Sequence, residues 1–296
     1  MFGLKILLVL LFLFKANCEN NLHRYPYLVA IYNYINKNDI EICASTLINS
    51  KWIITSNTCY EKLRNGSSDN LKLEVTRVHD LSQIKLSPHR KLKMAIPHSD
   101  YKNLNYSIAN DIALGMTNTQ FLINPRILPV ILTGNELNVE NSSCSFIYWN
   151  VSLPYQIDSK EMPLVSVDIE ILSLKYCKKQ FNYKLVYSYG QICVRSVNSV
   201  IPENHPGGPL MCNNVQVAFF SSQHKSNGEM LMTFTKIHPY QKFITEVIPS
   251  LTFFKIKGGD HIWKGVFLFS KANSCSSLYK MILACMVGIQ IIYNMY

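Results

Sequence analysis

Between Glu19 and Ser250 the apolar positions fall in short runs rather than long stripes. Tyr27–Tyr32, Thr46–Ile48, Trp52–Thr55, Leu71–Val78, Ile127–Leu132, Val165–Ile171, Gln191–Val194, Val215–Phe220 and Leu231–Ile237 are rich in β-branched and aromatic residues. Turn signals such as Asn65-Gly66, Asn124-Pro125 and Asn227-Gly228 separate them. Side chains of this kind fit a pleated, half-buried surface, and short runs at this spacing predict an all-β barrel or sandwich. One stretch changes period. Phe243, Ile244, Val247 and Ile248 repeat at helical spacing until Pro249 stops them, which predicts a helix at the end of the body.

Both ends of the chain are apolar. Lys5, the run Ile6–Phe14 and then Ala16, Asn17 and Cys18 have the layout of a secretory signal over residues 1–18. The run is too short to span a bilayer, and the alternative is a buried N-terminal helix. At the other end, residues 252–272 are basic and aromatic, followed by the small-residue patch Ala272–Ser277, Lys280 and the uncharged run Met281–Tyr296. Small residues, a short spacer and an apolar end resemble a GPI-attachment signal. A short membrane helix and an apolar helix packed on the body remain open beside it. The expected organisation is therefore a signal at 1–18, a body at 19–251 and an extension at 252–296.

Charge and cysteines narrow the compartment. The chain has 29 Lys and Arg against 19 Asp and Glu, a formal charge of +10 over 296 residues. The densest basic stretch is Lys85, His89, Arg90, Lys91 and Lys93, broken by Pro88, which predicts an exposed loop. It could bind heparan-type polyanions or an acidic partner, or be a solvated face. No nucleic-acid-binding motif accompanies it. Of nine cysteines, six remain in the body and two in the tail if Cys18 leaves with the signal. An even set in an oxidising compartment suggests a disulfide framework whose connectivity stays open. Neither a Cys-x-x-Cys nor a paired-His motif is present, so no metal and no cofactor is expected. Glycosylation sequons at Asn65, Asn105, Asn141 and Asn150 fit a secreted glycoprotein.

The stretch Glu203–Cys212 carries the candidate chemistry. Gly207, Gly208, Pro209, Leu210 and Cys212 resemble the nucleophile loop of the trypsin-like serine proteases, Gly-Asp-Ser-Gly-Gly-Pro-Leu followed by cysteine. Four further blocks resemble the same family in the same order. Cys43–Cys59 resembles the block that ends in the catalytic histidine and cysteine, and Asn110–Leu114 is the Asn-Asp-Ile-Ala-Leu of the triad aspartate. Cys144–Trp149 and Met232–Ile237 resemble the cysteine-to-tryptophan run and the strand before the C-terminal helix. The resemblance spans about Tyr25 to Leu251 and implies two six-stranded antiparallel β-barrels with a C-terminal helix.

It also implies roles, and most of them are vacated. Thr58 stands at the general-base position, Asp111 at the orienting aspartate and Pro206 at the nucleophile. Proline has neither a hydroxyl to attack a carbonyl nor an N–H to hold an oxyanion, and threonine has no group of near-neutral pKa. Asn204, His205 and Pro206 form the oxyanion-loop positions, and Val200 takes the floor of the specificity pocket. The aspartate that pairs with a new N-terminus in active relatives is replaced by His205. Implied disulfides are Cys43–Cys59, Cys144–Cys212 and Cys177–Cys193, while the bridge that braces the pocket would need a cysteine where Pro202 stands. His205, read as a residue of a flexible and partly exposed loop, could bind metal or sense pH, but no second ligand is identifiable. Ser196, Ser199 and Thr58 lack a recognisable base.

The expectation is an inactive homologue, secreted or tethered to the outer face of the plasma membrane through its tail. It would act by protein binding, as a decoy, scaffold or regulator of proteolysis, with an active protease, its substrate or a surface receptor as partner. Its oligomeric state is left open. The alternatives are unconventional serine-type endopeptidase activity, sensitive to His205 and Asp111, and an adhesive surface glycoprotein dependent on Lys91 and Lys93.

Overall fold

Two barrels form because the apolar runs alternate between different interiors. The computed structural model describes residues 25–35, 39–64, 73–78, 80–104, 107–124, 126–134, 143–150, 155–156, 163–180, 190–197, 205–213, 215–226 and 228–253. Its first barrel uses β1 (Leu28–Tyr34), β2 (Asp39–Leu47), β3 (Trp52–Thr55), β4 (Glu74–Thr76) and β5 (His89–Pro97). A small hairpin of β6 (Lys102–Leu104) and β7 (Ser107–Ala109) precedes its sixth strand, β8 (Ala113–Thr117). The order is β1-β4-β5-β8-β3-β2, and pairing of β1 with β2 closes the ring. The second barrel is assembled from β9 (Cys144–Trp149), β11 (Leu164–Ile171), β12 (Gln191–Ser196), β13 (Pro209–Cys212), β14 (Val215–Ser226) and β15 (Glu229–Lys236). It closes in the order β11-β12-β15-β14-β13-β9, while β10 (Tyr155–Gln156) adds to the edge of β2. Residues 25–256 make one compact unit.

The period-two alternation explains the arrangement. Along β1, Val29 and Ile31 join Leu47, Ile53, Leu63, Val75 and Phe121 in one cluster, while Leu28, Ala30 and Tyr32 face a second. Along β9, Phe146 and Tyr148 fill the second barrel with Phe220 and Phe234, while Ile147 and Trp149 face the same second cluster as Leu28. Strands that read apolar on both faces are therefore those pressed between the barrels. Phe146 anchors the second interior, stacked on Phe220 at 5.5 Å and edge-on to Phe234 at 5.1 Å between ring centres. Burying one such ring contributes on the order of 2–3 kcal/mol.

Among the described residues three helices complete the body: α1 (Asn57–Arg64), α2 (Leu174–Gln180) and α3 (Gln241–Val247). The predicted terminal helix is α3, whose Ile244 joins Ile248 and Ile237 in the inter-barrel cluster. His98 packs beneath it against Phe243 at 4.9 Å and Tyr240 at 5.4 Å between ring centres.

Several local expectations fail for physical reasons. Ile127–Leu132 forms no strand, because Pro129 has no N–H to give a ladder and the segment bonds piecemeal to both barrels. Leu128 and Val130 donate to Pro26 and Leu47, and the Ile131 carbonyl accepts from Gln216. The basic stretch expected as a loop is largely strand β5, entered from a 3-10 turn at Leu81–Leu86.

Of the implied disulfides, Cys144–Cys212 and Cys177–Cys193 are formed. Cys43 and Cys59 are a correction, since both are buried free thiols. The Cys43 thiol donates to the Cys59 carbonyl at 3.5 Å instead of meeting the Cys59 sulfur. Burial, and then this neighbour, hold the Cys43 thiol well above its ordinary pKa, so it stays protonated. Residues 1–18, the tail from 254, Pro202, and the sequons at Asn65, Asn105 and Asn141 lie outside the described residues. Asn150 is exposed at the end of β9. Among the described residues no helix is long and apolar enough to cross a membrane.

Candidate functional site

The residues singled out by sequence meet where the two barrels touch. Helix α1 starts there. Ser56 caps it, its hydroxyl accepting the Cys59 amide at 3.1 Å. That leaves the Thr58 amide as a further unpaired donor of the first turn, and Asp111 Oδ1 takes it at 2.7 Å. The other carboxylate oxygen accepts the hydroxyl of Ser221, from β14 of the second barrel. Asp111 is thus a helix cap and an inter-barrel tie at once. Burial pushes its pKa up to about 6, against the pull of its Ser221 and Thr58 hydrogen bonds.

Local backbone geometry presents this carboxylate. Asn110 holds φ +51°, a left-handed conformation that asparagine tolerates. Its side chain donates to the Asp100 carbonyl at 2.8 Å and accepts the Tyr240 hydroxyl at 3.1 Å. Beside Thr58, the Tyr101 hydroxyl lies 3.5 Å from Thr58 Oγ1 and donates to Glu61 Oε2 at 2.9 Å. Burial and the Glu61 carboxylate raise the Tyr101 pKa, opposed in part by Thr58, so the phenol stays protonated.

The loop carrying Pro206 is held from both sides. The Pro206 carbonyl accepts the Ala44 amide at 3.1 Å, and the Gly207 amide donates to Phe220 at 2.9 Å. Phe220 in turn donates to the Gly208 carbonyl at 2.7 Å. His205 corrects the sequence reading: it is only 6% exposed, not a residue of an open loop. Its ring lies on Tyr148, 4.5 Å between centres, and its Nε2 is buried without a hydrogen-bond partner. Burial, then the charge of Lys62, lowers its pKa to about 4, so the imidazole is neutral at physiological pH. Among the described residues no group of three or more His, Cys, Asp or Glu side chains could hold a metal ion. Val200 and Asn204 lie outside the described residues.

Thr58, Asp111, His205 and Pro206 are therefore brought to one region, but Asp111 serves backbone and hydroxyl donors rather than an imidazole. Sequence reasoning missed Ser221, Tyr101 and one further pair. On β14, Ser222 Oγ lies 2.9 Å from His224 Nε2 and 2.6 Å from Thr233 Oγ1. Residues two apart on a strand share a face, so continuing the Val215–Phe220 run by three or four residues would have exposed this pair.

Residues 16–244 match the family model described as Trypsin. Kallikrein 1-related peptidase b3 of Mus musculus is 24% identical over 238 residues, covering 78% of this chain and 87% of the relative. Granzyme M of Homo sapiens is 25% identical over 235 residues, covering 76% and 85%. The solved structure of neuropsin, a serine protease expressed in the limbic system of mouse brain, superposes with a TM-score of 0.60 at 20% identity. That match covers 77% of this chain and 96% of the neuropsin chain.

Proposed function

This chain belongs to the trypsin family, and on that premise we propose that it is a member without peptidase chemistry, kept for binding. One observation carries the reading: Pro206 stands between His205 and Gly207, where the family motif places its nucleophile. A proline there supplies neither the attacking oxygen nor an oxyanion N–H. The surroundings agree with it. Thr58 stands where the motif places the base, and the Thr58 amide and Ser221 hydroxyl occupy the two oxygens of Asp111.

In this reading the chain is exported through its first 18 residues and acts outside the cell, free or tethered by its tail. It contacts a protein partner through the surface around the inter-barrel crevice. An active protease, a protease substrate or a surface receptor fits that role, with the chain as decoy, scaffold or regulator. The test is turnover of peptide and protein substrates by the purified full-length glycoprotein. No turnover is expected at any pH between about 5 and 9, the range over which family-type bases operate.

A second reading is favoured by one specific contact. Ser222 and His224 form a hydroxyl–imidazole pair at 2.9 Å, and burial lowers the His224 pKa, keeping the ring in its base form. Unconventional endopeptidase activity would then disappear on Ser222→Ala and survive Asp111→Asn. The first reading is preferred because Thr233 shares the Ser222 hydroxyl at 2.6 Å and Pro206 offers no amide to an oxyanion.

A further inference from the structure

The cations that the sequence places in a loop stand on a barrel wall. Along β5 the exposed residues His89, Lys91 and Lys93 alternate with half-buried Arg90 and buried Leu92. A strand rises about 3.3 Å per residue, so His89 and Lys91 project about 7 Å apart, and Lys93 follows at the register shift between Leu92 and Met94. Arg90 is fixed beside this row. Its guanidinium lies 5.3 Å from the Phe121 ring centre, and its Nε donates to the Gln120 carbonyl at 3.2 Å. The Asn118 amide donates to the Lys91 carbonyl at 2.9 Å.

The acid that faces this surface is Glu74, directly opposite Lys91 in the β4–β5 register. It lies 3.8 Å from His89 and also accepts the Tyr32 hydroxyl at 2.5 Å. Among the described residues no carboxylate lies within ion-pair distance of Arg90, Lys91 or Lys93. Lys91 and Lys93 on the outward face, with Arg90 held at its side, are therefore opposed by one carboxylate.

We propose that the β5 wall of the first barrel is a docking surface for a linear sulfated polysaccharide of the heparan class. The proposal stands apart from the inter-barrel crevice and does not depend on whether that crevice is catalytic. A row of exposed cations along one strand, opposed by a single carboxylate, matches a chain that carries sulfates and carboxylates along its length, and the attraction acts through solvent. A protein partner fits less well. Protein interfaces concentrate their energy in aromatic and arginine anchors and are depleted in lysine. Here the exposed large apolar side chains on β5 and on the segments next to it in sequence or tied to Arg90 are Leu86, Met94, Leu122 and Ile123, and none carries a ring.

The experiment uses the full-length glycoprotein on immobilised heparin, with N- and O-desulfated heparin and phosphatidylserine vesicles as comparators. The natural chain is expected to bind heparin at about 0.15 M NaCl and to release as salt screens the contact. The Lys91→Gln/Lys93→Gln double variant should keep its melting temperature and bind at least about tenfold more weakly. Its dependence of log affinity on log salt should flatten by about two, near one per cation removed. Lys242→Gln, an exposed lysine of α3 lying 3.8 Å from Glu246, should change nothing. The proposal is overturned if heparin is not retained, or if desulfated heparin binds equally. It is equally overturned if Lys242→Gln weakens binding as much as the double variant, or if vesicles bind more tightly than heparin.

Discussion

The carbonyl of Pro206 accepts the amide of Ala44 at 3.1 Å, stitching the loop before β13 to strand β2 of the other barrel. The stitch leaves no room for a side chain on the next residue. Gly207 holds φ +81°, and a Cβ there would fall 2.1 Å from the Ala44 carbonyl oxygen and 2.1 Å from Thr55 Oγ1. A Cβ on Gly208 would meet the Phe146 ring at 2.6 Å. The Gly-Gly of the nucleophile motif is therefore required by the barrel contact itself, whatever stands before it.

That account separates space from backbone conformation. Gly228 has the same φ of +81° with nothing within 4 Å of an added Cβ. Gly228→Ala should cost about 1–2 kcal/mol, the left-handed penalty for an alanine. Gly207→Ala should lose about 3 kcal/mol or more, because backbone must also move. Urea unfolding of the two variants measures the difference, and equal losses would contradict the crossing described here.

Asp111 and His205 should give opposite pH dependences. Asp111 titrates near 6 when folded against 3.8 unfolded, so its contribution is present below about pH 4 and lost as pH rises through 6. His205 titrates near 4 against 6.5, so its contribution is present above about pH 6.5 and lost as pH falls through 4. Each is worth on the order of 3 kcal/mol, and they oppose one another across that window. The stability of the natural chain minus that of Asp111→Asn should fall with rising pH. The same difference for His205→Phe should climb. Slopes of one sign would show that burial is not what sets these two groups.

The cysteines make a third prediction. Peptide mapping should find Cys144 joined to Cys212 and Cys177 to Cys193. Cys43 and Cys59 should resist alkylation in the folded protein and react only after unfolding, since both are buried and the Cys43 thiol is held protonated. A linked Cys43–Cys59 peptide from the native protein would contradict the arrangement.

Much of the fold was legible because two-residue alternation is written into the side chains. The runs that became β1, β3, β11, β12, β14 and β15 announce themselves through branched and aromatic residues. β5 did not, since its outward positions are cationic and its buried partner Leu92 stands alone between Lys91 and Lys93. α1 was hidden for another reason. Eight residues give little periodicity, and its start is set by Ser56 and by Asp111, which lies 53 residues from Thr58 in sequence. Motif order placed Thr58, Asp111 and Pro206 near one another. It could not reveal that Ser221 binds Asp111, or that Tyr148 covers His205, because both contacts depend on how the barrels meet. The Cys43–Cys59 expectation failed at the level of a side-chain direction, which residue spacing does not encode.

The most direct test of the central claim is intact mass of the purified full-length chain after exposure to a fluorophosphonate probe. The account predicts no covalent adduct at any pH where the protein is folded, and no change on Thr58→Ala. An adduct that requires the folded state and maps to Ser222, or to any other hydroxyl of this chain, would contradict it.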